Sequence, residues 1–275
     1  MQVIMFTKLF RELGSSETAA LLSEIGFDGV DLLIREGWHV TPQTADSIEG
    51  VVTQFKQRGL NVPMATCDAV DPSDPITERI IAHCAEAGIG LLRIGYWRYD
   101  QAHGYRTILK EAQDQLAGLA RLAERHSICL ALQLHGGTIH SSSGQALHLL
   151  TPHDPRYVGA YVDPGNQVVQ EGREDWRLTL DALEPWLCCL GVKNGGWFAG
   201  MNDENGQRRW HSDWLPMSDG MVPWSDILAH LSQTRFSGIL SLHSQYRIPF
   251  AQAVAQTGVD LGFVRRILGD TRKPT

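Results

Sequence analysis

The sequence predicts a single (β/α)8 barrel over residues 1–275, and three observations carry that reading. Short apolar runs rich in Val, Ile and Leu alternate with longer segments of helical period, the pattern of successive βα units. Each kind of segment occurs eight times, which is the number a closed barrel needs. A chain of 275 residues is long enough for one such barrel without a second domain.

The runs expected as strands are 3–6 (VIMF), 29–34 (GVDLLI), 61–66 (NVPMAT), 90–95 (GLLRIG), 128–133 (ICLALQ), 157–162 (YVGAYV), 187–193 (LCCLGVK) and 238–243 (GILSLH). Helices are expected over 16–25, 43–58, 75–87, 104–125, 143–150, 174–185, 223–233 and 250–268. Ser16 and Thr18 are cap residues for the first helix, and Gly26 and Gly59 stand where helices stop in a left-handed conformation. No linker or short repeat interrupts this order. The longest irregular stretch, 194–222, follows the seventh strand and reads as a long loop overhanging the barrel mouth.

Composition narrows the function. Apolar residues make up 43% and charged residues 20%, as in an ordinary globular enzyme, and the net charge of −7 comes without any Lys/Arg cluster that could track a phosphate backbone. Nucleic acid is therefore not an expected partner, and homo-oligomerisation is left open. The amino terminus lacks a secretory h-region and no run is apolar enough to span a bilayer, so no membrane association and a cytoplasmic location are expected. Five cysteines, Cys67, Cys84, Cys129, Cys188 and Cys189, are odd in number and lack C-x-x-C spacing. They read as reduced structural residues.

In eight-stranded barrels the carboxyl ends of the strands converge on the axis, so polar groups there are candidates for chemistry. Strand two ends in Arg35 to His39, strand four in Tyr96-Trp97-Arg98, strand five in Gln133-Leu134-His135, strand six in Asp163-Pro164-Gly165-Asn166, strand seven in Lys193-Asn194 and Trp197, and strand eight in His243-Ser244-Gln245. A lone His, Asp or Arg at a strand end is more often structural than catalytic. Several on one mouth are costly to bury without a ligand. Gln133 and His135 share one strand face by their i, i+2 spacing, and Asp163-Pro-Gly reads as an acid followed by a sharp turn. Trp38, Trp97, Trp197, Trp210 and Trp214 fall in strand-end segments, where an aromatic face suits the apolar side of a sugar ring or roofs the core.

These residues resemble the sugar isomerases and epimerases of the xylose isomerase-like TIM-barrel superfamily, which also includes apurinic-site endonucleases. The carriers are GFDGVDL (26–32), LALQLHGG (130–137), VGAYVDPGN (158–166), LGVKNGG (190–196), WLPMSDGMVPW (214–224) and GILSLH (238–243). The resemblance implies a divalent ion held by a strand-five glutamate, a strand-six aspartate, a strand-seven histidine and a strand-eight glutamate. Those positions fall on Gln133, Asp163, Gly191 and His243, so only the aspartate is retained. One divalent ion (Mn, Zn or Mg) is left open as a cofactor, with Gln133, Asp163, His243 and Gln245 as its ligands.

The expected activity is isomerisation, epimerisation or a related elimination on a small sugar, polyol or keto-sugar, by proton transfer next to a carbonyl. His135, Asp163, Lys193 and His243 are the expected catalytic groups, with Lys193 polarising the carbonyl. Arg35, His39, Tyr96, Trp97, Asn166, Asn194, Trp197 and His211 are expected to bind the substrate, His211 by closing from the long loop. No Gly-rich phosphate cradle stands out, which favours a non-phosphorylated ligand. A non-catalytic sugar-binding barrel is the alternative; an apurinic-site nuclease lacks both its metal cluster and its basic loops here.

Overall fold

The structure, a computed structural model, describes residues 1–170, 174–234 and 236–270. Eight parallel strands close a barrel: β1 (Gln2–Phe6), β2 (Gly29–Leu33), β3 (Asn61–Thr66), β4 (Leu91–Arg93), β5 (Cys129–Gln133), β6 (Val158–Val162), β7 (Leu187–Val192) and, after a hairpin, β10 (Ile239–Leu242). β10 closes the ring by pairing with β1 on one side and β7 on the other. Every strand expected from the sequence is present, to within two residues at each end.

Helices pack outside this ring, among them α1 (Ser15–Ile25), α2 (Ile48–Lys56), α3 (Pro75–Glu86) and the 22-residue α4 (Tyr105–His126). Helix α1 ends at Gly26 with φ 97°, and Gly59 is also left-handed, both as expected. Its start is different. Gly14 is the N-cap, Glu17 reaches back to accept the Gly14 N–H, and Thr18 is buried, so neither Ser16 nor Thr18 caps the helix. The expected helix over 43–58 is divided between a 3-10 turn, Pro42–Ser47, and α2.

Two further elements depart from expectation. Asp163-Pro-Gly opens a short helix, Pro164–Val169, instead of a sharp turn: the Asp163 carboxylate accepts the Asn166 N–H at 2.8 Å and proline takes the first helical position. The stretch 194–222 holds an antiparallel hairpin, β8 (Asn194–Asn202) and β9 (Arg208–Leu215). Its turn spans Asp203–Gly206, closed by the Gly206 N–H on the Asp203 carbonyl at 3.0 Å, with Gly206 left-handed at φ 81°.

Inward-facing side chains alternate along each strand and fill the barrel in layers. Ile4, Met64, Leu91, Ala131, Tyr161 and Cys189 form an apolar plug. One step towards the carboxyl ends, Asp31 lies fully buried, accepting hydrogen bonds from Thr66 at 2.8 Å and Ser241 at 3.0 Å. Above it the side chains turn polar. All five cysteines are free, and among the described residues no helix is long and apolar enough to cross a membrane.

Candidate active site

A cavity of about 300 Å³ opens at the carboxyl ends of the strands, where the two-residue period delivers Phe6, Thr66, Arg93, Gln133, Lys193 and His243 to the axis. Arg35, Tyr96, His135, Asn166 and Gln245, all singled out from the sequence, also line it. Asp163, also singled out, sits fully buried beneath them.

The floor is organised around that carboxylate. Asp163 Oδ1 accepts the Asn166 N–H; Oδ2 accepts Gln133 Nε2 at 2.7 Å and faces Lys193 Nζ at 3.0 Å. The lysine is only 5% exposed, its ammonium lies 4.8 Å from the centre of the Trp214 ring, and burial lowers its pKa against the opposing pull of Asp163. Gly165 makes room for it, because a Cβ there would stand 2.5 Å from Lys193 Cγ. Gln133 is oriented from its other end, where Tyr96 donates to its Oε1 at 2.5 Å.

Two imidazoles flank this floor, and both are held neutral by burial, with the Lys193 charge adding to the effect. His135 Nδ1 donates to the Gly136 carbonyl at 2.7 Å, so its Nε2 is the lone-pair nitrogen and accepts from Gln170 at 3.1 Å. His243 lies tilted against Phe6 with ring centres 4.5 Å apart, meets the Tyr161 hydroxyl through Nε2 at 2.8 Å, and leaves Nδ1 without a partner among the described residues.

Other sequence candidates lie away from the cavity. His39 is tied by Nε2 to the Leu13 carbonyl at 3.0 Å and to Thr18, and so braces α1. Trp97 turns back into the core, with its indole N–H on Gln115 of α4 at 2.6 Å. The Asn194 side chain is spent on the backbone of 195, 217 and 222, which fixes the base of the hairpin. Trp197 donates to the Val168 carbonyl at 2.6 Å, and His211 stacks on Phe198 on the exposed hairpin. Of the five strand-end tryptophans, Trp214 alone lines the cavity.

The sequence reading missed Lys8, Arg93, Tyr161 and Gln170 and gave no role to Arg98, which it placed at the end of strand four; all five line the cavity. Arg93 is the most deeply buried of the arginines among them: it donates to the carbonyls of Cys67 and Ile94 and lies 4.6 Å from the Tyr96 ring centre. The available signal was an arginine and a tyrosine inside otherwise apolar strands.

The ligand set for a divalent ion does not fit. Both Asp163 oxygens are engaged, one of them by an ammonium, and Gln133 points its amide N–H at that carboxylate rather than its oxygen at a metal. At Gly191 a Cβ would stand 2.6 Å from Asp163 Oδ2, so no side-chain ligand can project there. Among the described residues no three His, Cys, Asp or Glu side chains are grouped to hold an ion.

A family model described as xylose isomerase-like TIM barrel matches residues 19–267. The chain belongs to this family. No curated protein sequence matches it, but solved structures of xylose isomerase-like proteins share its fold. The 3-keto-D-glucoside 4-epimerase of E. coli superposes with a TM-score of 0.73 at 17% identity, covering 97% of this chain and 99% of that one. A xylose isomerase-like TIM barrel protein from Mycobacterium smegmatis, solved in complex with magnesium, gives 0.70 at 16% identity with 98% of each chain covered. The D-allulose 3-epimerase of Methylomonas sp., in complex with D-allulose, gives 0.69 at 13% identity, covering 97% of this chain and 96% of that one. At such identities the likeness speaks for the fold alone.

Proposed function

We propose that this protein catalyses proton transfer at a carbon next to the carbonyl of a small sugar, polyol-derived ketone or keto-sugar, giving isomerisation, epimerisation or a related elimination. The observation that carries the reading is the buried Lys193 ammonium on the cavity floor, held by Asp163 beside an imidazole with a free ring nitrogen. Removing a proton next to a carbonyl places negative charge on its oxygen. A fixed cation in a water-poor site stabilises that charge strongly.

In this reading Lys193 receives the carbonyl oxygen, Asp163 holds the ammonium in place, and Gln133 and Asn166 hold Asp163. His243 is the base. The Tyr161 hydroxyl, 2.8 Å from His243 Nε2, accepts the Nε2–H in this reading. That leaves the lone pair on Nδ1. His135, with Nε2 as its lone-pair nitrogen, is the second proton carrier that an epimerisation or isomerisation requires.

A divalent ion supplies the same electrophilic assistance in many barrels, but the donors present here support Lys193 in that task. The second reading, a sugar-binding barrel without turnover, is favoured by the full engagement of both Asp163 oxygens. Proton NMR in D2O with a panel of ketoses and keto acids separates the two: wild type exchanges the hydrogen next to the carbonyl and Asp163→Ala does not. Binding without exchange across the panel, or undiminished exchange in the variant, refutes the enzymatic reading.

A further inference from the structure

The mouth of this barrel is far more cationic than a neutral sugar requires. Five of its lining side chains, Lys8, Arg35, Arg93, Arg98 and Lys193, are cationic, and among the described residues no Asp or Glu lines the cavity. The whole chain, by contrast, carries a net charge of −7. Two carboxylates neutralise part of the set from behind. Asp163 takes Lys193 at 3.0 Å, and Asp68 takes Arg35 through Nε at 2.6 Å and Nη2 at 2.7 Å, with Arg93 at 3.5 Å. Lys8 and Arg98 have no carboxylate within ion-pair distance among the described residues, and Lys8 feels the repulsion of Arg35, Lys193 and Arg93.

The cations are also graded in depth. Arg93 and Lys193 are buried on the floor, Arg35 is half-buried, and Lys8 and Arg98 are exposed at the rim. Like charges gathered around one concavity repel each other unless an anion enters. A cleft of one sign also draws in oppositely charged ligands by focusing the field. Arg35 reaches the cavity already locked by its fork onto Asp68, leaving its remaining N–H groups to an oxyanion, the geometry at which guanidinium excels.

We infer that the ligand is itself anionic: a short polyhydroxylated chain ending in a carboxylate or phosphate, received by Lys8, Arg35 and Arg98 while its carbonyl lies at Lys193. This rests on the reading of the floor as the reacting end. Backbone amides do not form the anion site; side-chain cations do, so the absence of a glycine-rich cradle is no obstacle. The inference narrows the substrate class from sugars in general to sugar acids or sugar phosphates.

Calorimetric titration of the full chain with D-gluconate, D-glucose 6-phosphate and the neutral polyol D-sorbitol tests it. At low NaCl at least one anion binds about tenfold or more tightly than sorbitol, high NaCl erodes that preference, and Lys8→Gln weakens the anion by about tenfold while leaving sorbitol unchanged. Preference for gluconate identifies the carboxylate form, and preference for glucose 6-phosphate the phosphate form. The inference is overturned if neither anion outbinds sorbitol, or if neither salt nor Lys8→Gln affects the anion. Anion binding with no deuterium exchange on any ketose or keto acid removes the proton-transfer reading and leaves this one standing. Exchange of a neutral ketose without anion preference does the reverse.

Discussion

Lys193 Nζ stands 3.0 Å from Asp163 Oδ2 on the floor of the barrel mouth, with the lysine 5% and the aspartate 0% exposed. Neither charge is tolerable there alone, because a lone buried ion loses its hydration without replacement. Lys193→Met therefore leaves Asp163 uncompensated and lowers stability by about 3–5 kcal/mol, an upper figure because the acid then takes up a proton. In urea unfolding, Lys193→Met combined with Asp163→Asn loses clearly less than the two single variants added together, by about 1 kcal/mol or more. Additive losses show that the pair is not coupled.

Gln133→Glu sets a second carboxylate where the amide now donates to Asp163 at 2.7 Å. Two acids at that distance cannot both ionise, so one is forced to hold its proton well above the ordinary carboxylate range. A raised folded-state pKa costs stability as pH rises through it. The variant is thus less stable than wild type at neutral pH by about 1–3 kcal/mol and regains ground on acidification. Unfolding midpoints measured across pH check this; a difference independent of pH contradicts it.

The barrel was legible because parallel strands buried on both faces read as continuous Val, Ile and Leu runs, and GVDLL and NVPMAT need no further cue. That same property hid Arg93 and Tyr161. In a strand apolar on both faces, nothing in the sequence tells the inward residue from its neighbour, so Arg93 inside the expected strand 90–95 carried no mark of the cavity. The hairpin was missed because its strands are solvated and lack an apolar run, although Asn205-Gly206 between WFAG and RRWH is a hairpin signal. His39, Trp97 and Asn194 follow strand ends yet serve the framework: past the last ladder bond the chain turns away, and only the hydrogen bonds of the finished fold say where a side chain goes.

Burial pushes Asp31 from an ordinary 3.8 to about 6. Its folded pKa lies above its unfolded one, so the unfolded chain releases the proton first as pH rises. Stability contributed by this group is present in acid, falls between about pH 4 and 6, and is lost above, by about 3 kcal/mol at most. Asp31→Asn removes that loss: its stability relative to wild type rises across the same window and then stays level. Urea unfolding across pH checks this, and parallel stability curves refute it.

Gly191→Ala drives a methyl against Asp163 Oδ2 at 2.6 Å and Tyr161 Cε2 at 3.1 Å. Overpacking of this kind costs about 1–3 kcal/mol, and here it also shifts the carboxylate that holds Lys193. Gly90→Ala, where a Cβ meets nothing within 4 Å, serves as the neutral control. Thermal unfolding of the two variants should separate them, and equal behaviour shows that position 191 has room for a side chain.

In the proposed reaction Lys193, held by Asp163, supplies the electrophile without a metal ion. The most direct test is the rate of hydrogen exchange next to the carbonyl of a responsive substrate, measured in D2O before and after exhaustive EDTA treatment of the full chain. The account predicts an unchanged rate that Lys193→Met lowers by about a hundredfold. A rate that collapses with EDTA and returns with Mn2+, Zn2+ or Mg2+ contradicts it.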